Sequence, residues 1–123
     1  MPLNDLFAYK LSGSEPGVVR AVINLNAKHR LYTGHFPDKP VTPGVALIEI
    51  IRIILSDVLG KELMFTGARD IKFIASVVPP DMDNLGLEIK YGKSQEGIPV
   101  HCTLSGNDKV YMKIRGTFSE NEE

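Results

Sequence analysis

A histidine, a glycine and a glutamate, His35, Gly44 and Glu49, lie within fifteen consecutive residues. Gly44 directly precedes an apolar segment, and at a helix start the backbone N–H groups lack intrahelical partners and attract negative charge. Glycine also lets a ligand approach the backbone, so these amides can hold a carbonyl oxygen whose charge grows during reaction. A histidine base, a carboxyl group and an oxyanion donor predict proton removal beside a carbonyl, followed by loss or gain of water.

His35 and Glu49 each have a structural interpretation as well. A histidine beside a glycine in a loop is by itself weak evidence of catalysis. A carboxylate among apolar helix residues must be paired, hydrogen-bonded or neutral, because its desolvation is costly. Arg52 lies three residues farther on and offers an i,i+3 ion pair. The residue types alone leave both interpretations of Glu49 open.

A stiff loop and an apolar helix must position these groups. Pro37, Pro40 and Pro43 each restrict their own backbone and that of the preceding residue, so the loop is extended rather than helical. Residues 45–59 then predict a helix that ends at Gly60. Isoleucine, valine and leucine occur on all of its faces over the first three turns, which predicts burial all round. In a short chain, a sheet wrapped around the helix provides that burial.

The rest of the chain predicts six strands separated by turn-forming residues. They are expected at residues 6–11, 18–25, 68–78, 85–93, 98–104 and 110–118. Short connections between the later strands favour antiparallel neighbours. We therefore predict an α+β fold, a curved antiparallel sheet around one long central apolar helix. Residues 1–123 are expected to form a single domain, with 119–123 as a frayed tail.

Composition excludes several other classes of protein. The chain has 123 residues and a formal net charge of −1, which argues against a nucleic-acid binder. Its apolar stretches are too short for a membrane span, and no signal peptide is recognisable. No metal-ligand spacing or nucleotide-binding glycine pattern occurs, so no cofactor or metal is expected. Cys102, the only cysteine, predicts a buried thiol in a reducing, cytoplasmic setting.

The loop and helix closely resemble the active-site motif of the hotdog-fold β-hydroxyacyl-(acyl carrier protein) dehydratases. The matching residues are Gly34-His35-Phe36-Pro37, Pro40-Val41, Pro43-Gly44-Val45 and Glu49, with the family's spacing from the histidine. Ile71-Lys72-Phe73 and the later Val77-Val78-Pro79-Pro80-Asp81 are similar to the family's next strand and turn. The resemblance is specific at the motif and looser over the remainder of residues 15–118.

This resemblance implies a 3-hydroxyacyl thioester on an acyl carrier protein as substrate, dehydrated to the trans-2-enoyl thioester without a cofactor. His35 would take the α-proton, Glu49 would help to protonate the departing hydroxyl group, and the Gly44 amide would polarise the thioester carbonyl. The active site would lie in a homodimer or a larger assembly of dimers, with His35 of one chain facing Glu49 of the other. The implied substrate tunnel includes Phe36, Val41, Pro43, Val45 and Ile48, and Lys39, Arg69 and Lys72 are candidates for carrier docking.

Departures from the family pattern indicate a divergent, N-terminally short member, serving fatty-acid or specialised acyl or polyene synthesis. Arg52 replaces part of the family's small-residue and glutamine pattern after the glutamate. It either pairs with Glu49 or points away from it. Two alternatives therefore remain beside the dehydratase: a hotdog acyl thioesterase, and a non-catalytic acyl-binding hotdog subunit.

Overall fold

One helix and six strands account for the regular structure of the described residues. The computed structural model describes residues 6–26, 28, 42–78, 85–106 and 108–120. The elements are β1 (Phe7–Glu15), β2 (Val18–Leu25), α1 (Gly44–Leu59), β3 (Leu63–Phe73), β4 (Leu85–Tyr91), β5 (Ile98–Gly106) and β6 (Lys109–Glu120).

All six strands join one antiparallel sheet in the order β1-β2-β4-β5-β6-β3. The helix intervenes between β2 and β3, which lie four positions apart in that order. Strands β1 and β3 are therefore the two edges. This architecture confirms the predicted α+β fold.

Inward-facing side chains form rows that cross the sheet from strand to strand. One row runs through the register partners Val19, Ile89, Cys102, Ile114 and Ile71. The first four of these are buried, as the alternation of side chains along a strand requires. The helix buries one face in the same core, formed by Ala46, Leu47, Ile50, Ile51, Ile54 and Leu55. Burying these side chains stabilises the fold by ~1.5–3 kcal/mol for each large aliphatic residue.

Cys102 belongs to that inward row and is fully buried. Burial alone raises the pKa of its thiol to about 12. The neutral thiol therefore persists at physiological pH, and the side chain acts as a small apolar group. The predicted structural role of this cysteine is confirmed.

The helix differs from its prediction at one end and on one face. It begins at Gly44, one residue early, and ends as expected at Gly60, whose φ of 68° is left-handed and favours glycine. Val45 is 77% exposed, so the prediction of burial all round was wrong for the first turn. Among the described residues, no helix has the length and hydropathy needed to cross a bilayer.

Strand β3 begins five residues earlier and ends five residues earlier than predicted. Bulges at Thr66 and Arg69 interrupt its pairing with β6, so its side chains do not alternate regularly. Because residues 63–67 lack regular alternation, their sequence did not predict a strand. Residues 74–78 leave the sheet, although the N–H groups of Ile74 and Ala75 still donate to the Tyr111 carbonyl.

Strands β1 and β6 continue farther along the chain than predicted. Strand β1 continues to Glu15 because the chain turns at residues 16–17 rather than at the serine and glycine before them. Strand β6 continues to Glu120, which pairs with Leu63 and forms an ion pair with Lys61. Two residues of the expected frayed tail therefore belong to the sheet, and residues 121–123 lie outside the described residues.

A hydrogen bond joins the sheet edge at β1 to the end of the helix. The Tyr9 hydroxyl donates to Asp57 Oδ2 over 2.7 Å. Burial, this hydrogen bond and the charge of Asp57 together raise the pKa of Tyr9 to about 12. The contact holds the folded state only while Tyr9 keeps its proton.

Tyr9→Phe is expected to lower the free energy of unfolding by about 0.5–1 kcal/mol, because one hydrogen bond is lost. The contribution of Tyr9 should be complete below pH ~10, the ordinary tyrosine pKa, and disappear as pH rises through the folded pKa. Urea unfolding at pH 8 and at alkaline pH measures both effects. Equal stability of the two proteins at pH 8 would show that the hydrogen bond contributes nothing.

Candidate active site

Pro43 and Gly44 form the start of the helix beside an open cleft. Pro43 is extended, with φ −63° and ψ 148°, and its side chain makes no capping hydrogen bond. Its carbonyl accepts from the N–H groups of Ala46 and Leu47, at 3.0 and 3.2 Å. The N–H groups of Gly44 and Val45 precede these bonds, at the end of the helix where the dipole favours negative charge.

The ring of Phe73 lies directly against Gly44. A Cβ atom at position 44 would come within 2.5 Å of Phe73 Cζ and 2.9 Å of Cε1. Glycine is therefore required for this placement of the ring. Phe73 pairs with Met112 at the end of an inward row, yet it is 57% exposed because it extends past the sheet over the helix start.

A cleft of about 340 Å³ lies between the helix start and the chain that follows β3. Backbone hydrogen bonds hold its walls: the Thr42 N–H donates to the Val77 carbonyl over 2.9 Å. The lining is mostly apolar, and it consists of Thr42, Pro43, Gly44, Leu47, Phe73, Ile74, Ala75, Ser76 and Val77. The cleft thus brings apolar side chains next to polar groups of the backbone.

Glu49 is paired with Arg52 on the same side of the helix. Arg52 Nε and Nη2 donate to Glu49 Oε1 over 2.8 and 2.5 Å, which leaves Oε2 outside the pair. Glu49 is 39% exposed and Arg52 23% exposed. Of the two alternatives that the sequence left open for Arg52, the structure shows the i,i+3 ion pair with Glu49.

Arg52 is also held from the other side. Its Nη1 donates to Glu62 Oε1 over 3.3 Å and to the Leu63 carbonyl over 3.2 Å. The hydrogen bond with Glu49 is the largest of the causes that raise the pKa of Arg52 above its ordinary value. The guanidinium is consequently a fixed cation between the helix and the start of β3.

The structure brings some of the predicted site residues together and leaves others unplaced. Pro43 and Gly44 line the cleft, and Glu49 lies five residues along the helix, a rise of about 7.5 Å. Val45 is exposed and Ile48 half-buried. The predictions for His35, Phe36, Lys39 and Val41 fall outside the described residues.

Phe73 and Ile74 are site residues that the sequence reasoning missed. Phe73 and Ile74 were both expected within the strand predicted at residues 68–78, and neither was predicted to lie at the site. Both are exposed apolar residues beside the cleft. The sequence did contain an indication for Phe73. A large aromatic side chain at an inward position of an edge strand is expected to contact residues outside the sheet.

Metal binding has no support in the part of the chain that the structure describes. There, no three His, Cys, Asp or Glu side chains lie together in a way that could hold an ion. The chemistry available in these residues is that of a carboxylate, a guanidinium and backbone amides.

Comparison with known proteins identifies a family for this chain. The model of the ApeI-like family, described as ApeI dehydratase, matches residues 12–114. The 3-hydroxyacyl-(acyl-carrier-protein) dehydratase FabZ of Clostridium novyi is 36% identical, with 89% of this chain and 83% of the relative covered. The enzyme of the same name from Ruminiclostridium cellulolyticum is 35% identical, covering 72% and 68%.

Two solved structures share the fold. One is a chain of the dehydratase heterocomplex ApeI:P from Xenorhabdus doucetiae, with a TM-score of 0.70 and 18% identity, covering 90% of this chain and 95% of that one. The other is an uncharacterized protein from Erwinia carotovora subsp. atroseptica, with a TM-score of 0.66 and 16% identity, covering 94% and 95%. At these identities the likeness concerns the fold.

Gly44→Ala is expected to destabilise the chain by about 1 kcal/mol, because the new methyl group must displace the Phe73 ring. In a Phe73→Ala background the same change should be neutral or slightly stabilising, since alanine is favoured over glycine in helices. Thermal unfolding of the four proteins gives the coupling between the two positions. Gly67→Ala is the matched control, because a Cβ atom there meets nothing within 4 Å. Equal costs in both backgrounds would contradict the contact.

Proposed function

The chain belongs to the ApeI-like dehydratase family, and we propose that it dehydrates 3-hydroxyacyl thioesters carried by an acyl carrier protein to trans-2-enoyl thioesters. The observation that carries this proposal is the opening of an apolar cleft onto Gly44 at the start of the helix that bears Glu49. The names of the FabZ relatives supply the substrate class.

The proposed reaction begins at the thioester carbonyl. The Gly44 N–H donates a hydrogen bond to the carbonyl oxygen, so negative charge that develops on this oxygen is stabilised by the amide and the helix dipole. His35 removes the α-proton from the activated carbon. The electron pair of the broken C–H bond then forms the new double bond, and the β-hydroxyl group leaves.

Glu49 acts on the departing hydroxyl group through the oxygen that Arg52 does not hold. With Oε1 fixed by two hydrogen bonds, Oε2 has a defined direction in which to meet the hydroxyl. Glu49 donates its carboxyl proton to the hydroxyl group, which leaves as water when the C–O bond breaks, and the α-proton held by His35 returns to Glu49 before the next turnover. Arg52 is a positioning residue in this scheme.

The cleft is proposed to receive the acyl chain next to the reacting carbons. Leu47 and Val77 supply apolar walls, and Pro43 lies at the mouth. Val45 and Ile48 continue this surface along the helix as proposed tunnel residues, and Phe36 and Val41 complete it from the preceding loop. The thioester and the hydroxyl group then remain at the polar end.

A homodimer, with His35 of one chain facing Glu49 of the other, is part of the proposal. Edge strand β3 supports it, because its outer side offers unpaired backbone groups to another strand. Met64 and Phe73, near the two ends of this strand, are exposed apolar residues, as is the neighbouring Val45. The buried thiol is compatible with the proposed cytoplasmic location.

A non-catalytic acyl-binding subunit is the second candidate function. The ion pair between Glu49 and Arg52 favours it, because the guanidinium occupies one oxygen of the carboxylate that catalysis needs. Such a subunit would keep the cleft and the fold while a related chain supplied the chemistry.

His35→Ala and Glu49→Gln are each expected to lower kcat by about 10²–10⁴, the usual contribution of a positioned acid or base. Formation of enoyl thioester from 3-hydroxyacyl carrier protein measures turnover, and circular dichroism confirms that the variants fold. Absence of turnover by the unaltered chain on short, medium and aryl-polyene substrates would reject the dehydratase.

Arg52→Gln is expected to lower kcat by about tenfold with little change in KM, because a loosened carboxylate loses its alignment in the transition state. In a Glu49→Gln background, the same substitution should have no further effect. Steady-state kinetics of the single and double variants test this. Faster turnover in Arg52→Gln would instead mean that the ion pair restrains Glu49, as the second candidate function requires.

A further inference from the structure

A small enclosed void lies in the core directly behind the cleft. Its volume is about 10 Å³, and every described residue that lines it is apolar. The helix contributes Leu47, Ile50 and Ile51 to its wall, and the sheet contributes side chains that include Leu104 and Met112. A buried water molecule needs polar partners, so this space favours apolar groups over water.

Leu47 belongs to the wall of both spaces. Its side chain is 4% exposed, and it lines the cleft on one side and the void on the other. Among the described residues, it is the only one that the two linings share. On the side of the helix, the Leu47 side chain therefore separates the cleft from the void.

The sheet brings the two spaces together on the opposite side. Phe73 lines the cleft, and its register partner Met112 lines the void. Directly opposite residues in antiparallel strands have Cβ atoms about 4.5–5.5 Å apart, so the two spaces are neighbours on this side as well. Methionine is unbranched and adapts its shape to its surroundings. The wall that Met112 forms can therefore adjust when the void is filled.

Leu47 lies deeper along the helix than Gly44. The rise between the two residues is about 4.5 Å, nearly one turn, and both line the cleft. An acyl chain whose carbonyl is held at Gly44 can therefore extend along the cleft to Leu47. The void lies behind that side chain.

From this arrangement we infer that Leu47 limits the length of the acyl chain that the cleft accepts, an inference that rests on the proposed function. The end of a chain that fits the cleft meets the Leu47 side chain in apolar surroundings. A longer chain must displace Leu47 or leave its end in water, and both cost free energy. A smaller side chain at position 47 joins the cleft to the void, which then buries the end of the longer chain.

Leu47→Ala tests this role, with Leu55→Ala as its matched control. Leu55 is fully buried about 12 Å farther along the same helix and lines neither space. Both variants lose the same part of a buried side chain, so both should be destabilised. Each protein is assayed below its Tm with 3-hydroxybutanoyl and 3-hydroxydecanoyl thioesters of pantetheine.

The measured quantity is the ratio of kcat/KM for the decanoyl substrate to kcat/KM for the butanoyl substrate. In Leu47→Ala this ratio should rise about tenfold, because the longer chain fills the new apolar space. In Leu55→Ala the ratio should stay within about twofold of its value for the unaltered chain, since a purely structural defect lowers both values together. Leu47→Val shortens the side chain less and should shift the ratio in the same direction by a smaller factor, which keeps the test available if Leu47→Ala does not fold.

Binding of the corresponding saturated thioesters, measured by calorimetry, gives a second readout that requires no chemistry. Leu47→Ala should bind the decanoyl thioester more tightly than the unaltered chain does, with little change for the butanoyl thioester. An unchanged preference in the Leu47 variants, or an equal shift in Leu55→Ala, would overturn the inference. Failure of the unaltered chain to turn over either hydroxyacyl thioester would reject the proposed function, whereas the binding preference would still decide the role of Leu47.

Discussion

Burial of one face of the helix against the inward rows of the sheet is the constraint on which the rest of the structure depends. Exposure to water would cost free energy for the apolar side chains of Ile50, Ile51, Ile54 and Leu55. Five of the six strands supply inward rows of apolar side chains against which this face packs. Once this face is packed, the direction of the helix is set. Its N-terminus must then emerge at the edge formed by β3, where Phe73 covers Gly44.

The alternation of side chains gives the sheet two surfaces with opposite properties. Inward positions of β6, such as Ile114, build the core, whereas outward positions such as Lys113 and Arg115 carry charge and have no ion pair among the described residues. Packing in the core determines the inward residues, whereas the outward residues are in contact with solvent and are not constrained by packing. A concentration of unpaired charge on one surface is therefore more informative about partners than the composition of the core.

Glu49 shows how one residue supports two interpretations without contradiction. Its pair with Arg52 is what the structural interpretation requires, and Arg52 is itself anchored to the Leu63 carbonyl. The same anchoring gives the second carboxylate oxygen a fixed direction, which a catalytic group needs.

Sequence by itself determined the α+β class, the strand at Val18–Leu25, the end of the helix at Gly60 and the buried thiol of Cys102. These features follow from contacts between residues close in the chain or from regular alternation, which are local. Tertiary structure alone decided the bounds of β3, the exposure of Val45, the contact of Phe73 with Gly44 and the choice of Arg52 as the partner of Glu49. Each of these depends on residues that are not neighbours in sequence, through strand register, bulges and, for Arg52, the Leu63 carbonyl that holds it, none of which a local pattern encodes.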